Sequence, residues 1–276
     1  MLKSVTTMGE LMHRAADRLS QTDTSTPELD ALVLLEHASG RDRAWLHAYA
    51  DAPTSSCGNE ALAIYRELLD KRIDGQPVAY LIGEKEFYGL QFEVASEVLI
   101  PRPESEAMVK AAIELAPTHT HILDVGCGSG ALAVAVAVHR PDCQLQACDN
   151  QPQALAVAQR NAERHDVDIT FTESDVFSNY SNQRFDIILA NLPYLPDGYR
   201  SSPETRFEPH DALYAGPDGL EVYRQFFDQL PHYITSGAQV IIEHLPTQTA
   251  ALRRLAKSVG LQPKKHCSQF VTVFSA

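Results

Sequence analysis

Apolar positions in the first 75 residues recur at helical spacing. Met8, Leu11, Met12, Ala15 and Leu19 fall on one face of a first helix. Thr26-Pro27-Glu28 opens a second, with Thr as the cap and Pro in the first turn. Leu29, Leu32, Val33 and Leu35 carry it to Gly40. Trp45, Leu46 and Tyr49 mark a third, and Glu60 through Ile64, Leu68 and Leu69 to Gly75 a fourth. Four short amphipathic helices with brief loops predict a small bundle over residues 1–76. The pattern then turns to alternation. Glu86 to Val94, with Gly89 in the middle, predicts a β-hairpin, so residues 77–102 read as a hairpin linker. A helix follows Pro103 to about Leu115.

From His121 short apolar runs alternate with helical stretches. Strands are predicted at 121–125, 144–148, 168–171, 185–190, 238–243 and 270–274, the last at an edge. Helices are predicted at 131–139, 151–165, 219–230 and 247–259. This order predicts an α/β, Rossmann-like, doubly wound and mostly parallel sheet over residues 103–276. In such sheets ligands bind beyond the carboxyl ends of the strands.

Composition narrows the function. The chain has 276 residues, 44% of them hydrophobic, enough for a large and a small domain. Its formal net charge is -13, and the longest basic cluster is Lys264-Lys265-His266. A nonspecific nucleic-acid binder needs a basic stripe, so a protein substrate is easier to accommodate. Five cysteines without a C-x-x-C pair suit free thiols in a reducing cytoplasm. Eleven scattered histidines form no H-E-x-x-H pattern, so no metal site is expected. Neither a signal sequence nor a membrane-spanning run is read at the N-terminus or elsewhere.

Candidate chemistry gathers at the predicted strand ends. Asp124 leads into Gly126-Cys127-Gly128-Ser129-Gly130, where glycines let the backbone turn sharply and lie close to a ligand. The next helix adds its N-terminal dipole and unpaired N–H groups. Asp149 ends the second strand, placed to accept both hydroxyls of a ribose. Asp175-Val176 follows the third strand and reads equally as a turn or as a contact to adenine. Asn191-Leu192-Pro193-Tyr194 follows the apolar run from Phe185, delivering an amide, a stiffened backbone and a ring to the sheet rim. Arg102, fenced by two prolines before a helix, suggests a placed charge.

Together the loop, Asp149 and the Asn-x-Pro-Tyr tetrad resemble the class I S-adenosylmethionine-dependent methyltransferases that act on planar nitrogen. More narrowly the chain resembles the release factor glutamine N5-methyltransferases. That likeness rests on Phe87-Tyr88-Gly89, on Ile100-Pro101-Arg102-Pro103-Glu104, and on Asn161. It extends to Glu208-Pro209, Ala212-Leu213 and Asp218-Gly219-Leu220. Two departures stand out: Leu192 replaces the first Pro of the tetrad, and His266-Cys267-Ser268-Gln269-Phe270 replaces an acidic-Gly-Arg segment.

The resemblance implies S-adenosylmethionine as cofactor, bound by Asp124, the loop from Gly126 to Gly130, Asp149, Asp175, Val176 and Asn191. It implies peptide chain release factors as substrate, with the N-terminal domain gripping them. Asn191, Leu192, Pro193, Tyr194 and Arg102 would meet the acceptor glutamine, and a monomer is expected. The alternatives are an amino-directed nucleic-acid methyltransferase, a non-catalytic adapter and a nicotinamide-dependent oxidoreductase.

Overall fold

Helices and strands arise close to where the pattern puts them in the computed structural model, which describes residues 7–276. Residues 1–6, which open the expected N-terminal domain, lie outside the described residues, as do the side chains of Lys265 and His266 in the basic cluster. Backbone proximity divides the chain into two units. One comprises the described residues up to Gly83 together with Ser201–Phe207; the other comprises Glu84–Arg200 and Glu208–Ala276.

The first unit is helical: α1 (Met8–Leu19), α2 (Pro27–Ser39), α3 (Arg43–Ala48), α4 (Asn59–Ile73) and α5 (Val78–Ile82). Asp42 caps α3 by accepting the Trp45 N–H at 2.7 Å, satisfying one of the amides a helix start leaves unpaired. The apolar stripes of α1, α2 and α4 bury Met8, Leu19, Leu34, Leu35 and Tyr65 completely. Buried among them, Asp30 accepts from Arg72 Nε at 2.7 Å, Thr24 at 2.7 Å and Thr26 at 2.9 Å. Arg72 also donates to Glu204 at 2.6 Å, which fastens Ser201–Phe207 into this unit. Helix α5 is a departure from expectation, since its residues open the stretch read as hairpin linker. Its run of Val, Ala, Tyr, Leu and Ile is too short to show a period, so only the fold reveals it.

The second unit opens with a hairpin, β1 (Glu84–Phe87) and β2 (Leu90–Glu93), turning at Tyr88-Gly89. Then come α6 (Glu106–Leu115), β3 (His121–Val125), α7 (Ala131–His139), β4 (Gln144–Asp149), α8 (Pro152–Arg164), β5 (Ile169–Glu173) and β6 (Phe185–Ala190). The chain finishes with α9 (Glu221–Gln229), β7 (Ile234–Glu243), α10 (Thr249–Ser258), β8 (Gln262–His266) and β9 (Val271–Ser275). The sheet order is β5-β4-β3-β6-β7-β9-β8, parallel from β5 to β7 and antiparallel beyond. Alternate residues of each strand serve opposite faces: Ile122, Ile187 and Leu189 pack with α7, while Leu123, Ile188 and Ala190 pack with α9.

The final strand corrects the expectation of an edge. β9 is inserted between β7 and β8, and all but one of its residues are buried. The true edge is β8, whose Gln-Pro-Lys-Lys-His sequence shows no apolar alternation. Pro and Lys are what an exposed edge carries to discourage further pairing. The strand order reverses between β3 and β6, and such switch points open a crevice at the carboxyl end of a sheet.

Candidate active site

A cavity of about 630 Å³ opens at that crevice. The glycine loop forms its floor. Gly126 and Cys127 donate their N–H groups to the Cys148 carbonyl at 2.8 and 2.9 Å, pinning the loop to the end of β4. Gly126 has φ +72°, and a Cβ there would come within 2.9 Å of Leu192 Cδ2, so only glycine fits beneath the tetrad. Val125, Gly126, Cys127, Gly128 and Ser129 all line the cavity. Asp149 lines it too, accepting from the Gly128 N–H at 2.9 Å and the Gln151 N–H at 3.0 Å. Burial pushes its pKa up, and these backbone bonds pull against that. An ionised carboxyl has about four acceptor positions, so these donors still leave one open to a ligand.

Asp124 and Gly130, both expected at the cofactor, are placed behind the loop and not on the cavity wall. Asp124 is buried and accepts the Ala133 N–H at 3.2 Å, tying β3 to the first turn of α7. Its Oδ1 has no hydrogen-bond partner, and burial raises its pKa to about 7. Gly130 faces Ala158 on α8.

Asp175 and Val176 reach the cavity together. Val176 holds φ +52°, a left-handed conformation that costs a β-branched residue about 1–3 kcal/mol. Two donors hold its carbonyl there, Ser174 Oγ at 3.1 Å and Cys148 Sγ at 3.4 Å. Burial pushes the Cys148 thiol up to about 12, so it keeps the proton it donates. Two side chains thus hold this strained backbone on the cavity wall. Asp175 accepts from Gln225 at 3.1 Å.

The tetrad leaves β6 at the opposite wall. Asn191, Leu192 and Pro193 line the cavity, and Asn191 Nδ2 donates to Ser105 Oγ at 3.1 Å. Tyr194 turns away from the cavity, and its hydroxyl donates to Glu243 Oε1 at 3.0 Å. Its carbonyl accepts from Gln248 at 2.7 Å and lies where a Cβ on Gly219 would be, explaining the glycine of Asp218-Gly219-Leu220. Leu195 then pairs with Leu213 and Ala215, bringing the later loop beside the tetrad. Arg102 is likewise off the wall. It pairs with buried Glu208, which also accepts the Ile100 N–H at 3.2 Å, so its charge holds the Ile-Pro-Arg-Pro segment in place.

Two residues absent from the expected site stand out. Ser105 lines the cavity and Glu243 lies just behind it, 1% exposed. Glu243 Oε2 has no hydrogen-bond partner. Burial pushes the Glu243 pKa up, and the hydrogen bond from the Tyr194 hydroxyl pulls against it. The signal in sequence was a lone carboxylate ending the run Val240-Ile241-Ile242, as Asp149 ends its own strand.

Family models match both ends of this description. One described as "PrmC N-terminal domain" matches residues 10–83, and one described as "Methyltransferase small domain" matches 101–202. A release factor glutamine methyltransferase from Salmonella typhimurium is 36% identical over 263 residues, covering 94% of this chain and 93% of that protein. One from Escherichia coli is 35% identical over 266 residues, covering 95% of each. The chain belongs to the release factor glutamine methyltransferase family. Among solved structures, a methyltransferase from Pyrococcus furiosus superposes with a TM-score of 0.52 at 17% identity, covering 69% of this chain and 91% of that one. The T. thermophilus 16S rRNA N2 G1207 methyltransferase, solved with AdoMet and guanosine, gives 0.52 at 17%, covering 70% of this chain and 49% of that one. Both share the α/β fold. This is an S-adenosylmethionine-dependent methyltransferase. The cavity suits that cofactor: a close-approach loop at a helix N-terminus, a half-buried carboxylate with an open acceptor position, and a strained apolar wall.

Proposed function

We propose that this enzyme methylates the side-chain amide nitrogen of the glutamine in the Gly-Gly-Gln motif of peptide chain release factors. The observation that carries the proposal is the packing of Asn191-Leu192-Pro193 directly over the glycine loop, on one cavity. S-adenosylmethionine supplies an activated sulfonium methyl when bound. An amide nitrogen is a poor nucleophile, so what remains for the protein is positioning. Asn191 Oδ1 and the Leu192 carbonyl each accept one N–H of the substrate amide and hold its nitrogen in line with the methyl. As the N–C bond formed and the methyl–sulfur bond broke, leaving a neutral thioether, that nitrogen would become cationic, and both acceptors would bind its N–H groups more strongly than before. The nitrogen afterwards gives up a proton to solvent. Leu192 supplies the same carbonyl as the proline it replaces and fills the space over Gly126. Pro193 stiffens the turn.

In this reading the glycine loop, Asp149, Asp175 and Val176 hold the cofactor. Asp124 and Arg102 shape the site from behind. The N-terminal unit recognises the rest of the release factor. The net charge of -13 favours a protein over a nucleic-acid substrate. All five cysteines are unpaired, in keeping with action in the cytoplasm, and the proposal takes the enzyme as a monomer.

The test is mass spectrometry of a purified release factor incubated with enzyme and S-adenosylmethionine. One added methyl on the Gly-Gly-Gln glutamine is expected, reduced about 10²–10³-fold in Asn191→Ala with cofactor affinity retained. Methyl transfer to RNA or DNA but not to the release factor would overturn the proposal.

A further inference from the structure

Asn161 is one of the residues that carry the family likeness, yet it does not line the cavity. It lies on α8 and is fully buried. A buried amide must find partners for its oxygen and its two N–H groups. Here all are used. Oδ1 accepts the Glu93 N–H at 2.7 Å, while Nδ2 donates to the Glu93 carbonyl at 3.0 Å and to the Ser129 carbonyl at 2.9 Å. Each partner is a backbone group whose donor or acceptor character cannot change, so the amide has one orientation.

The two bonded segments lead into two walls of the cavity. Ser129 closes the glycine loop on one wall. Glu93 ends β2, and the chain beyond it supplies Ser96, Glu97, Val98 and Leu99 to another. The loop needs a hold from outside. Gly128 and Gly130, on either side of Ser129, have φ +54° and +77°, and glycine moves between conformations at little steric cost. The peptide joining Ser129 to Gly130 is fixed at both ends. Its N–H donates to the Cys127 carbonyl at 2.8 Å within the loop, and its carbonyl is held by Asn161. Helix α8 touches the loop again at Ala158, three residues earlier on the same face, where a Cβ on Gly130 would come within 3.0 Å. On the hairpin side, Arg160 donates to the Glu93 carboxylate at 2.6 Å, and His165 Nε2 lies 2.8 Å from the Gln91 carbonyl oxygen.

We propose that Asn161 is a positioning residue for the cofactor: its amide ties the Ser129 carbonyl to Glu93 and so fixes the glycine loop against the wall formed by residues 96–99. This rests on the reading of the cavity as the S-adenosylmethionine site. Gly126 and Cys127 are pinned separately to the Cys148 carbonyl, so the footing of Leu192 over Gly126 does not depend on Asn161. Cofactor affinity therefore depends on Asn161, and the handling of the acceptor amide does not.

The experiment titrates the full-length enzyme and its Asn161→Ala, Asn161→Asp and Arg160→Met variants with S-adenosylmethionine by calorimetry, and follows methyl transfer to a purified release factor. Aspartate keeps the volume and the acceptor for the Glu93 N–H but, when ionised, loses both donors. Both Asn161 variants should bind the cofactor about 10–100-fold more weakly, the scale of a displaced binding group, with the number of sites per chain unchanged. Their kcat at saturating cofactor and KM for the release factor should stay within about threefold of wild type, the pattern of lost uniform binding. Arg160→Met removes only the exposed ion pair between the same segments and should leave affinity within about twofold. A residue that serves folding alone would give fewer sites per chain, each of wild-type affinity, and that result overturns the proposal. So does wild-type affinity in both Asn161 variants. Backbone hydrogen exchange in the wild type decides the matter if neither variant folds. Saturating S-adenosylmethionine should slow exchange of the Glu93 N–H, which lies off the cavity, by at least about threefold. Unchanged exchange there, with slower exchange at Gly128, overturns the proposal. Asp149→Ala separates the two claims. If it leaves cofactor affinity unchanged, the reading of the cavity falls and this proposal with it; if it weakens binding and the Asn161 variants do not, only this proposal falls.

Discussion

Buried Asp30 in the helical unit and buried Asp124 and Glu243 in the sheet unit are treated differently. In the helical unit, Asp30 receives a guanidinium N–H and two threonine hydroxyls, each within 2.9 Å. At the sheet rim, Asp124 Oδ1 and Glu243 Oε2 have no partner among the described residues, and burial raises the pKa of Asp124, Asp149 and Glu243 alike. A buried charge that is fully bonded holds a fold together. One left short of partners lowers stability, and a protein keeps it where it serves a site.

The comparison can be broken most sharply at Asp30. Arg72→Met leaves its charge buried without the guanidinium and should destabilise the helical unit by about 3–5 kcal/mol, read from urea unfolding. A loss below about 1 kcal/mol would mean that the pair contributes no more than an exposed one.

Asp124 provides the opposite case, of comparable or smaller size. Its folded pKa is about 7, against about 3.9 in an unfolded chain. Between those values the folded protein holds a proton that the unfolded chain has released. Its contribution to stability is therefore full below pH 4 and is lost as pH rises toward 7. Relative to Asp124→Asn, the wild type should weaken across that window by up to about 4 kcal/mol and level off above it. Thermal unfolding of both proteins from pH 4 to 8 measures the difference, and parallel curves would remove Asp124 from the list of strained carboxylates.

The smallest effect is expected at Tyr194. Tyr194→Phe deletes one donor to Glu243 but leaves the Ser105 link to Asn191 intact. It should cost about 1 kcal/mol of stability and change kcat by about fivefold or less. A kcat loss above about a hundredfold would put the hydroxyl in contact with the acceptor.

How much of this was legible in the sequence follows the same division. The strands β3 and β6 were readable because buried parallel strands are nearly continuous apolar runs, β4 from its place in the alternation of strand and helix, and the residues ending all three mark the rim directly. Asn191, Asp149 and the glycine loop were therefore placed from the chain alone. Ser105 and Glu243 were not. They meet the tetrad across separations of 86 and 49 residues, which no local pattern encodes. Arg102 was noticed for its rigid setting, but its partner Glu208 lies 106 residues on, so its structural use was hidden. The edge strand β8 was missed because an edge strand needs no apolar face, and its Pro and Lys are the residues that pattern reading counts against a strand.

The insertion of β9 between β7 and β8 also has a consequence for how the protein is made. During synthesis β7 pairs with β6 on one side, while its other side stays open until Val271–Ser275 has been translated. A stalled or truncated chain lacking those five residues would keep that side of β7 open for good, making it a ready substrate for chaperones or for aggregation.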